Sequence, residues 1–393
     1  MNGYHLIVRI GDSILPLTVT NLLELTVVQD MNRFLPELRM RVMDTTGALT
    51  HLLPFDKSMS TVKMEFGETG ESGLKNSFSF AVFSRRPDGD TGNAQTVYDI
   101  TGLLDVPGMF SPDWSRGHSD VLKKTLITIA EKELGVDATD ISTSLLYKKD
   151  LVQPKWSNIQ FLKHLKENII GQNEECGYKC FIKCQKQKKI FVFKSLTEMI
   201  QEPTSYKFIV GPTVVEDWLP VIRYAIFDYY KLYEVFASKK QAYSYFNYDT
   251  STFVQAEESV QDYQSLSDYW LIDKNDSENS NTLLELGRSN DFTSNFKGNV
   301  KSSYSNRLTG LMKMWVTTRA LPSIAPGETV QILFPQGADA GGIYSYQHSG
   351  YWLIEKVVHN FGSVFLTKLL LTRNGVDTDL QTTLLKATKK KVA

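Results

Sequence analysis

The amino-acid sequence predicts a mainly β protein with a smaller α+β part, on the basis of three observations. Apolar residues alternate with polar ones through the first hundred residues, which is the period of a strand with one buried face. Helix signals followed by a hairpin pattern occupy residues 105–210. The alternation then returns and is interrupted by a long polar stretch. Because 393 residues exceed what one hydrophobic core normally serves, we expect several units in the chain.

Residues 1–104 are predicted to form a first β-barrel. Turn residues such as Gly11-Asp12 and a Gly-rich stretch separate its strands. Strands with a single apolar face must surround a core of their own, so we expect this unit to close as a barrel that ends near Leu104. Its alternating apolar positions are Leu6, Val8 and Ile10; Leu38, Met40 and Val42; Val62, Met64 and Phe66; and Phe78, Phe80 and Val82.

Residues 105–210 predict a small α+β domain that begins with a helix. Ser119 stands where its side chain could cap that helix, and Gly135 is placed to end it. The apolar stripe with the 3.6-residue spacing of a helix is Leu122, Leu126 and Ile129.

A second helix in the same domain has a stronger start signal. Ser157 and Gln160 form an S-x-x-Q capping box, in which side chains satisfy backbone N–H groups of the first turn. Two strands, Tyr178–Cys184 and Lys189–Lys194, follow this helix and are joined by the polar turn Gln185–Lys188. The apolar stripe of the helix is Phe161, Leu162, Leu165 and Ile169.

A second, discontinuous β-barrel is predicted for residues 211–239 and 305–375. Residues 240–304 interrupt it, and nine acidic residues against three basic ones between 251 and 300 indicate a solvated insertion domain. Residues 376–393 form a C-terminal tail. The predicted strands of the second barrel are Val221–Ile226, Met312–Thr318, Thr329–Phe334, Tyr351–Val358 and Val364–Leu371.

The composition excludes several classes of protein. The formal net charge of −1 provides no general attraction to nucleic acid. The N-terminus lacks the basic start and apolar run of a secretory signal, and no stretch approaches the roughly 18 apolar residues of a membrane span. We therefore expect no sequence-specific nucleic-acid binding and no membrane insertion.

Three cysteines, Cys176, Cys180 and Cys184, are too close together for a disulfide framework and indicate a reducing compartment. On a strand, Cys180, Ile182 and Cys184 would share one face, and Phe181 would point to the other. Such a row is typical of residues that face a hydrophobic core. A zinc site would need a fourth ligand, and the nearest histidine, His164, lies on another element. We expect buried structural thiols.

No catalytic, cofactor-binding or metal-binding residue is predicted. The Gly-rich segment 67–75 lacks the Gly-Lys-Ser/Thr of a phosphate-binding loop, and no pair of histidines has the spacing of a metalloprotease. His359 is expected at the end of a strand or the edge of a core. The acidic pairs Glu174-Glu175 and Glu257-Glu258 are expected to be solvated. The six histidines are His5, His51, His118, His164, His348 and His359.

Three stretches together resemble a known family. Gly108-Met-Phe-Ser-Pro-Asp113 precedes the first helix, and Trp156-Ser157 opens the second. The third comprises Ile324-Ala-Pro326-Gly327-Glu-Thr-Val330, then Ser349-Gly-Tyr-Trp352-Leu-Ile-Glu355-Lys-Val-Val-His359-Asn360, then Phe365-Leu-Thr-Lys-Leu369. In this order, over most of the chain, they resemble the baseplate hub proteins of contractile-tailed phages, the late control protein D group, and the N-terminal half of type VI secretion VgrG spikes.

The resemblance implies a structural protein with two barrels of tail-tube type in each subunit. It implies a homotrimer whose six similar barrels join the hexameric tail tube to the trimeric central spike around a channel. Its partners would be the tail tube protein, the central spike protein, other baseplate proteins and a tape measure protein. It would lie in the baseplate of the virion after assembly in the host cytoplasm, without cofactors or enzymatic activity.

Two other functions remain open at this point. One is a tail-associated enzyme that degrades the cell wall, although residues 240–304 are short and poor in catalytic groups. The other is a carbohydrate-binding β module, in which Tyr263, Tyr269 and Trp270 could stack on sugars. For a hub, we expect the insertion 240–304 to lie away from the face that meets the tail tube, because a large addition there would spoil the likeness of the two barrels.

Overall fold

The chain is mainly β with a smaller α+β part, as predicted. No helix among the residues that the structure describes is long and apolar enough to cross a membrane. The computed structural model describes residues 4–10, 13–14, 22–44, 49, 60–68, 75–88, 96–110, 114–202, 204, 206–211, 216–227, 240–247, 251–259, 269–270, 282–286, 298, 301–303, 305–306, 312–334, 348–362, 364–373 and 375–376.

The strands and helices have the following bounds. The strands of the N-terminal half are β1 (Tyr4–Ile10), β2 (Ser13–Ile14), β3 (Leu22–Asp30), β4 (Glu37–Asp44), β5 (Thr61–Glu68), β6 (Lys75–Asp88), β7 (Thr96–Leu104), β8 (Trp114–Val121), β9 (Ala138–Ile141), β10 (Lys148–Trp156), β11 (Tyr178–Gln185) and β12 (Lys188–Ser195). They are followed by β13 (Tyr206–Ile209), β14 (Leu219–Pro220), β15 (Arg223–Phe227), β16 (Lys240–Asn247), β17 (Thr252–Ser259), β18 (Tyr269–Trp270), β19 (Thr282–Leu286), β20 (Met312–Arg319), β21 (Thr329–Leu333), β22 (Gly350–Phe361), β23 (Leu366–Arg373) and β24 (Gly375–Val376). The helices are α1 (Leu122–Thr128), α2 (Asn158–Asn168) and α3 (Leu196–Gln201).

The first sheet has six antiparallel strands in the order β3-β4-β7-β6-β5-β1. The predicted alternating positions face its core, where all but Leu6 and Val82 are fully buried and those two pack against it. In the described residues no ladder joins the end strands β1 and β3, and the closure of this sheet as a separate barrel remains a prediction. The free edge of β3 pairs instead with β22.

The second sheet closes into a barrel of six strands. Its order is β13-β21-β22-β23-β20, and the consecutive pieces β14 and β15 close the ring by pairing with β13 and β20. Two backbone hydrogen bonds, donated by neighbouring residues, close the ring. The Val221 N–H donates to the Ile209 carbonyl and the Ile222 N–H donates to the Thr317 carbonyl, both at 2.9 Å. Strand β15, which precedes the predicted insertion, thus pairs with β20, which follows it.

Strand β22 belongs to both sheets. Its first residues pair with β21, and Lys356–Phe361 pair with β3. Between these two pairings Glu355 is an extra residue in the ladder with β23, which makes a β-bulge. Bulges bend a strand and increase its twist. The bulge therefore lies where the strand leaves one sheet for the other.

The first helix of the α+β part does not begin as predicted. Ser119 lies inside β8, which pairs with β10 in a two-stranded sheet that the sequence did not indicate, and its hydroxyl donates to Asp150 Oδ1 at 2.6 Å. Helix α1 begins at Leu122 without a side-chain cap. Its predicted stripe is nevertheless buried, and Gly135 follows the helical segment with φ +61°.

The second helix and its hairpin are confirmed. The Ser157 N–H donates to Gln160 Oε1 at 2.9 Å at the start of α2, as the capping box requires. Strands β11 and β12 pair along their whole length around a turn in which Lys186 and Gln187 have positive φ. Parallel pairing with β9 completes this three-stranded sheet.

The division of the chain into domains remains a prediction, and three features of the structure bear on it. Strand β13, within the range given to the α+β domain, pairs with β21 of the second barrel. Strands β16, β17 and β19 of the predicted insertion form a sheet of their own. Near the end of the insertion, Lys301 forms an ion pair with Glu174 of the α+β part. Beyond Val376, the predicted C-terminal tail lies outside the described residues.

Candidate functional site at the joint of the two sheets

The hairpin β22–β23 carries aromatic rings into the core of the first sheet. Phe361 and Phe365 stack with their centroids 4.5 Å apart, and Phe66 meets them edge-on at 4.8 and 5.4 Å. Tyr4 of β1 contacts Phe365 at 5.5 Å, while β22 pairs with β3 on the other side. The hairpin therefore fills the space between the two end strands of the first sheet. A part of the second barrel completes the first core.

His359 lies inside this aromatic group and is fully buried. Its ring centroid is 5.2 Å from that of Phe66, and its Nδ1 is 3.3 Å from Thr367 Oγ1. Its Nε2 has no hydrogen-bond partner among the described residues. Burial lowers the pKa of His359 to about 3, so the imidazole is neutral at pH 7. The expected position at a strand end is wrong, because β22 continues past Val358 to Phe361.

Two ion pairs flank the bulge, one within the second barrel and one between β22 and β3 of the first sheet. Lys313 Nζ of β20 lies 2.8 Å from Glu355 Oε2, and Lys356 Nζ lies 2.9 Å from Asp30 Oδ2 of β3. Both carboxylates are almost completely buried. Asn32 also donates to Glu355, at 3.0 Å. Breaking a buried pair leaves an uncompensated charge, so these contacts hold the sheets in one arrangement.

The α+β part is attached to the same joint. Lys179 Nζ donates to Asn32 Oδ1 at 2.8 Å, and burial, with the nearby Lys166, lowers the pKa of Lys179 to about 8. The side chain of Gln29 accepts from the Cys184 N–H at 2.8 Å and donates to its carbonyl at 3.4 Å. The two sheets and the α+β part thus meet around β3. Their contacts can fix the orientation of these three parts and transmit force between them.

The predicted cysteine row is confirmed as part of the core. Cys180, Ile182 and Cys184 pack in the core of the first sheet, whereas Phe181 packs on the opposite face with Leu196. Burial raises the pKa of Cys184 to about 12 and that of Cys180 further, so both remain thiols at neutral pH. Among the described residues, no group of His, Cys, Asp and Glu has an arrangement that could hold a metal ion.

The other candidate residues do not form a common site in the described part of the chain. Glu174 is paired with Lys301, and Glu175 accepts a hydrogen bond from Ser195, so this acidic pair is engaged rather than simply solvated. Tyr269-Trp270 pair with β24, while Tyr263, His51, most of the Gly-rich segment and the side chains of Glu257-Glu258 lie outside the described residues.

Sequence reasoning missed His359, Phe361 and Phe365 as residues of the joint. Continuing the alternation beyond Val357 through His359 to Phe361 would have extended the strand and indicated a buried face. The pairing partner in β3 could not be found this way, because it lies more than 300 residues away in the chain.

No protein-family model matches the chain, and no curated protein matches it in sequence. Solved structures do share its fold. The 43 kDa tail protein of prophage MuSo2 from Shewanella oneidensis has a TM-score of 0.61 at 9% identity, over 94% of this chain and 98% of that chain. A tail protein from Neisseria meningitidis MC58 has a TM-score of 0.59 at 11% identity, over 95% and 98%.

A chain of the Francisella PdpA-VgrG complex has a TM-score of 0.51 at 9% identity, and covers 94% of this chain and 58% of that longer chain. This chain therefore shares its fold with these phage tail proteins and with the chain of the VgrG complex. The predicted resemblance to the baseplate hub family is confirmed only as a likeness of fold.

Proposed function

We propose that this protein is a structural baseplate hub of a contractile phage tail. Three copies would form a ring that joins a hexameric tail tube to a trimeric central spike around a channel. The observation that supports the proposal is the presence of two six-stranded sheets in one chain, the second closed as a barrel, which are joined through β22. Three copies of such a chain supply six similar units, which matches three-fold to six-fold symmetry.

The joint suits this role because a ring with six near-equivalent positions needs a constant angle between the two barrels of each subunit. A shared strand, the ion pair of Lys356 with Asp30 and the aromatic hairpin in the first core all oppose a change of that angle. Packed interiors resist gradual deformation. The subunit would therefore behave as one rigid unit under load.

The partners in this proposal are the tail tube protein, the central spike protein, other baseplate proteins and a tape measure protein. The location is the tail baseplate of the virion, after assembly in the host cytoplasm. No enzymatic activity and no cofactor belong to the proposal. The insertion 240–304 is placed outside the ring or toward the spike, where its acidic surface remains solvated.

Multi-angle light scattering at micromolar concentration tests the proposal. A hub should have about three times the chain mass of 44.6 kDa, either alone or after addition of the candidate spike protein. A stable monomer under both conditions would contradict it. Dye release from labelled cell walls and binding to a glycan array should both be absent, and a signal in either would favour an enzyme or a carbohydrate-binding module.

A further inference from the structure

Two like charges face each other on the outer surface of the first sheet. Arg9 of β1 is directly opposite Lys63 of β5, and Lys63 is directly opposite Ser79 of β6. Both cations are exposed, and neither has an ion-pair partner among the described residues. Like charges directly across a sheet are unfavourable for stability. Their juxtaposition points to an anionic ligand that both side chains can share.

The pair lies in a groove of about 340 Å³ between the first sheet and the α+β part. Lys189 of β12 provides a third cation on the opposite wall, where its Nζ donates only to the Asp105 carbonyl, at 2.8 Å. The volume falls in the range of about 300–1,000 Å³ that is usual for ligand sites. The lining of the groove includes Ile7, Arg9, Lys63, Ser79, Glu65 and Lys189.

The two carboxylates at the groove do not neutralise these cations. Glu65 Oε1 lies 3.5 Å from His5 Nε2, and Asp137 Oδ2 accepts the Lys189 N–H at 2.7 Å. Both are held by groups other than Arg9 and Lys63. The three cations of the groove outnumber these two carboxylates, which leaves the lining with one net positive charge.

We propose that this groove binds an acidic peptide segment of a partner protein. The guanidinium of Arg9 can hold a carboxylate through two parallel hydrogen bonds, with Lys63 as a second point charge and the Ser79 hydroxyl as a further donor. A peptide fits better than nucleic acid because a peptide can combine carboxylates with an apolar side chain, which the sugar-phosphate backbone lacks. Ile7, exposed by 37%, offers an apolar contact that a peptide side chain can use.

Fluorescence anisotropy with labelled hexaglutamate at low ionic strength tests this proposal on the full chain. Hexaglutamine, hexathymidylate and inorganic phosphate serve as comparison ligands. We expect hexaglutamate to bind in preference to all three, and the double substitution Arg9→Gln with Lys63→Gln to weaken binding at least tenfold. The matched control is Arg86→Gln, which removes an exposed positive charge elsewhere on β6 and should leave binding unchanged.

The double variant should unfold at the same temperature as the parent chain or a higher one, because it removes a repulsion. Carbodiimide cross-linking of hexaglutamate, mapped by mass spectrometry, should label Lys63 and Lys189. Absence of hexaglutamate binding, an equal loss in Arg86→Gln, or tighter binding of hexathymidylate would overturn the proposal. None of these outcomes bears on the trimer, so the two proposals can fail separately.

Discussion

Replacing Phe365 by alanine should destabilise the first sheet, although Phe365 lies in the hairpin of the second barrel. The side chain is 8% exposed and packs between Phe361, Phe66 and Tyr4. Removing a buried Phe side chain costs about 3–5 kcal/mol of unfolding free energy, and less where the site can collapse. Because the ring lies near the edge of the core, we expect about 3 kcal/mol.

Urea unfolding measures that loss, and hydrogen exchange followed by mass spectrometry locates it. Protection should fall first in β1, β3 and β5, while β20 and β21 of the second barrel keep theirs. The neighbouring substitution Val364→Ala is the control, since Val364 is 62% exposed and should change stability by less than about 0.5 kcal/mol. A loss for Phe365→Ala below about 1 kcal/mol, or lost protection confined to the second barrel, would refute the joint described above.

Three further predictions follow from the joint and its surroundings. The unfolded state binds a proton at His359 near pH 6.5 and the folded state only near pH 3, so stability should fall as pH drops through this window, by about 1.4 kcal/mol per unit. Denaturant titrations of His359→Leu should lack this contribution, and an unchanged pH profile would contradict it. Glu355→Gln should cost about 1.5–3 kcal/mol in urea unfolding by leaving the partly exposed Lys313 without its charged partner, whereas Glu65→Gln should cost less than about 1 kcal/mol. Chelators should leave the melting temperature unchanged, because the buried cysteines are protonated thiols; stoichiometric zinc with unfolding on chelation would count against this.

Local patterns predicted the parts of the fold that local physics determines. Alternation identified the buried faces of the first sheet, since period two puts every second side chain on one side. The second helix was identified from the capping box of Ser157 and Gln160, and the hairpin after it from the polar turn that follows β11. In each case the signal and the structure that it predicts lie within a few residues of each other.

The pairing of β8 with β10 was missed because most side chains on its inner face are polar. Arg116 donates a hydrogen bond to Gln153 there, so apolar alternation does not mark the strands, and Ser119 resembled a helix cap instead. The pairing of β22 with β3 was missed for another reason. Contacts between distant parts of the chain depend on tertiary packing, which leaves no local pattern in one sequence. The joint and the Arg9–Lys63 pair both belong to this class.

The central claim is that each chain supplies two equivalent positions in a ring. Electron microscopy of the purified assembly, viewed along its axis, tests this most directly. We expect six barrel-sized densities at one radius, arranged with near six-fold symmetry, while the peripheral parts repeat three times. Three densities at that radius, or two barrels of one chain at different radii, would contradict the proposed ring.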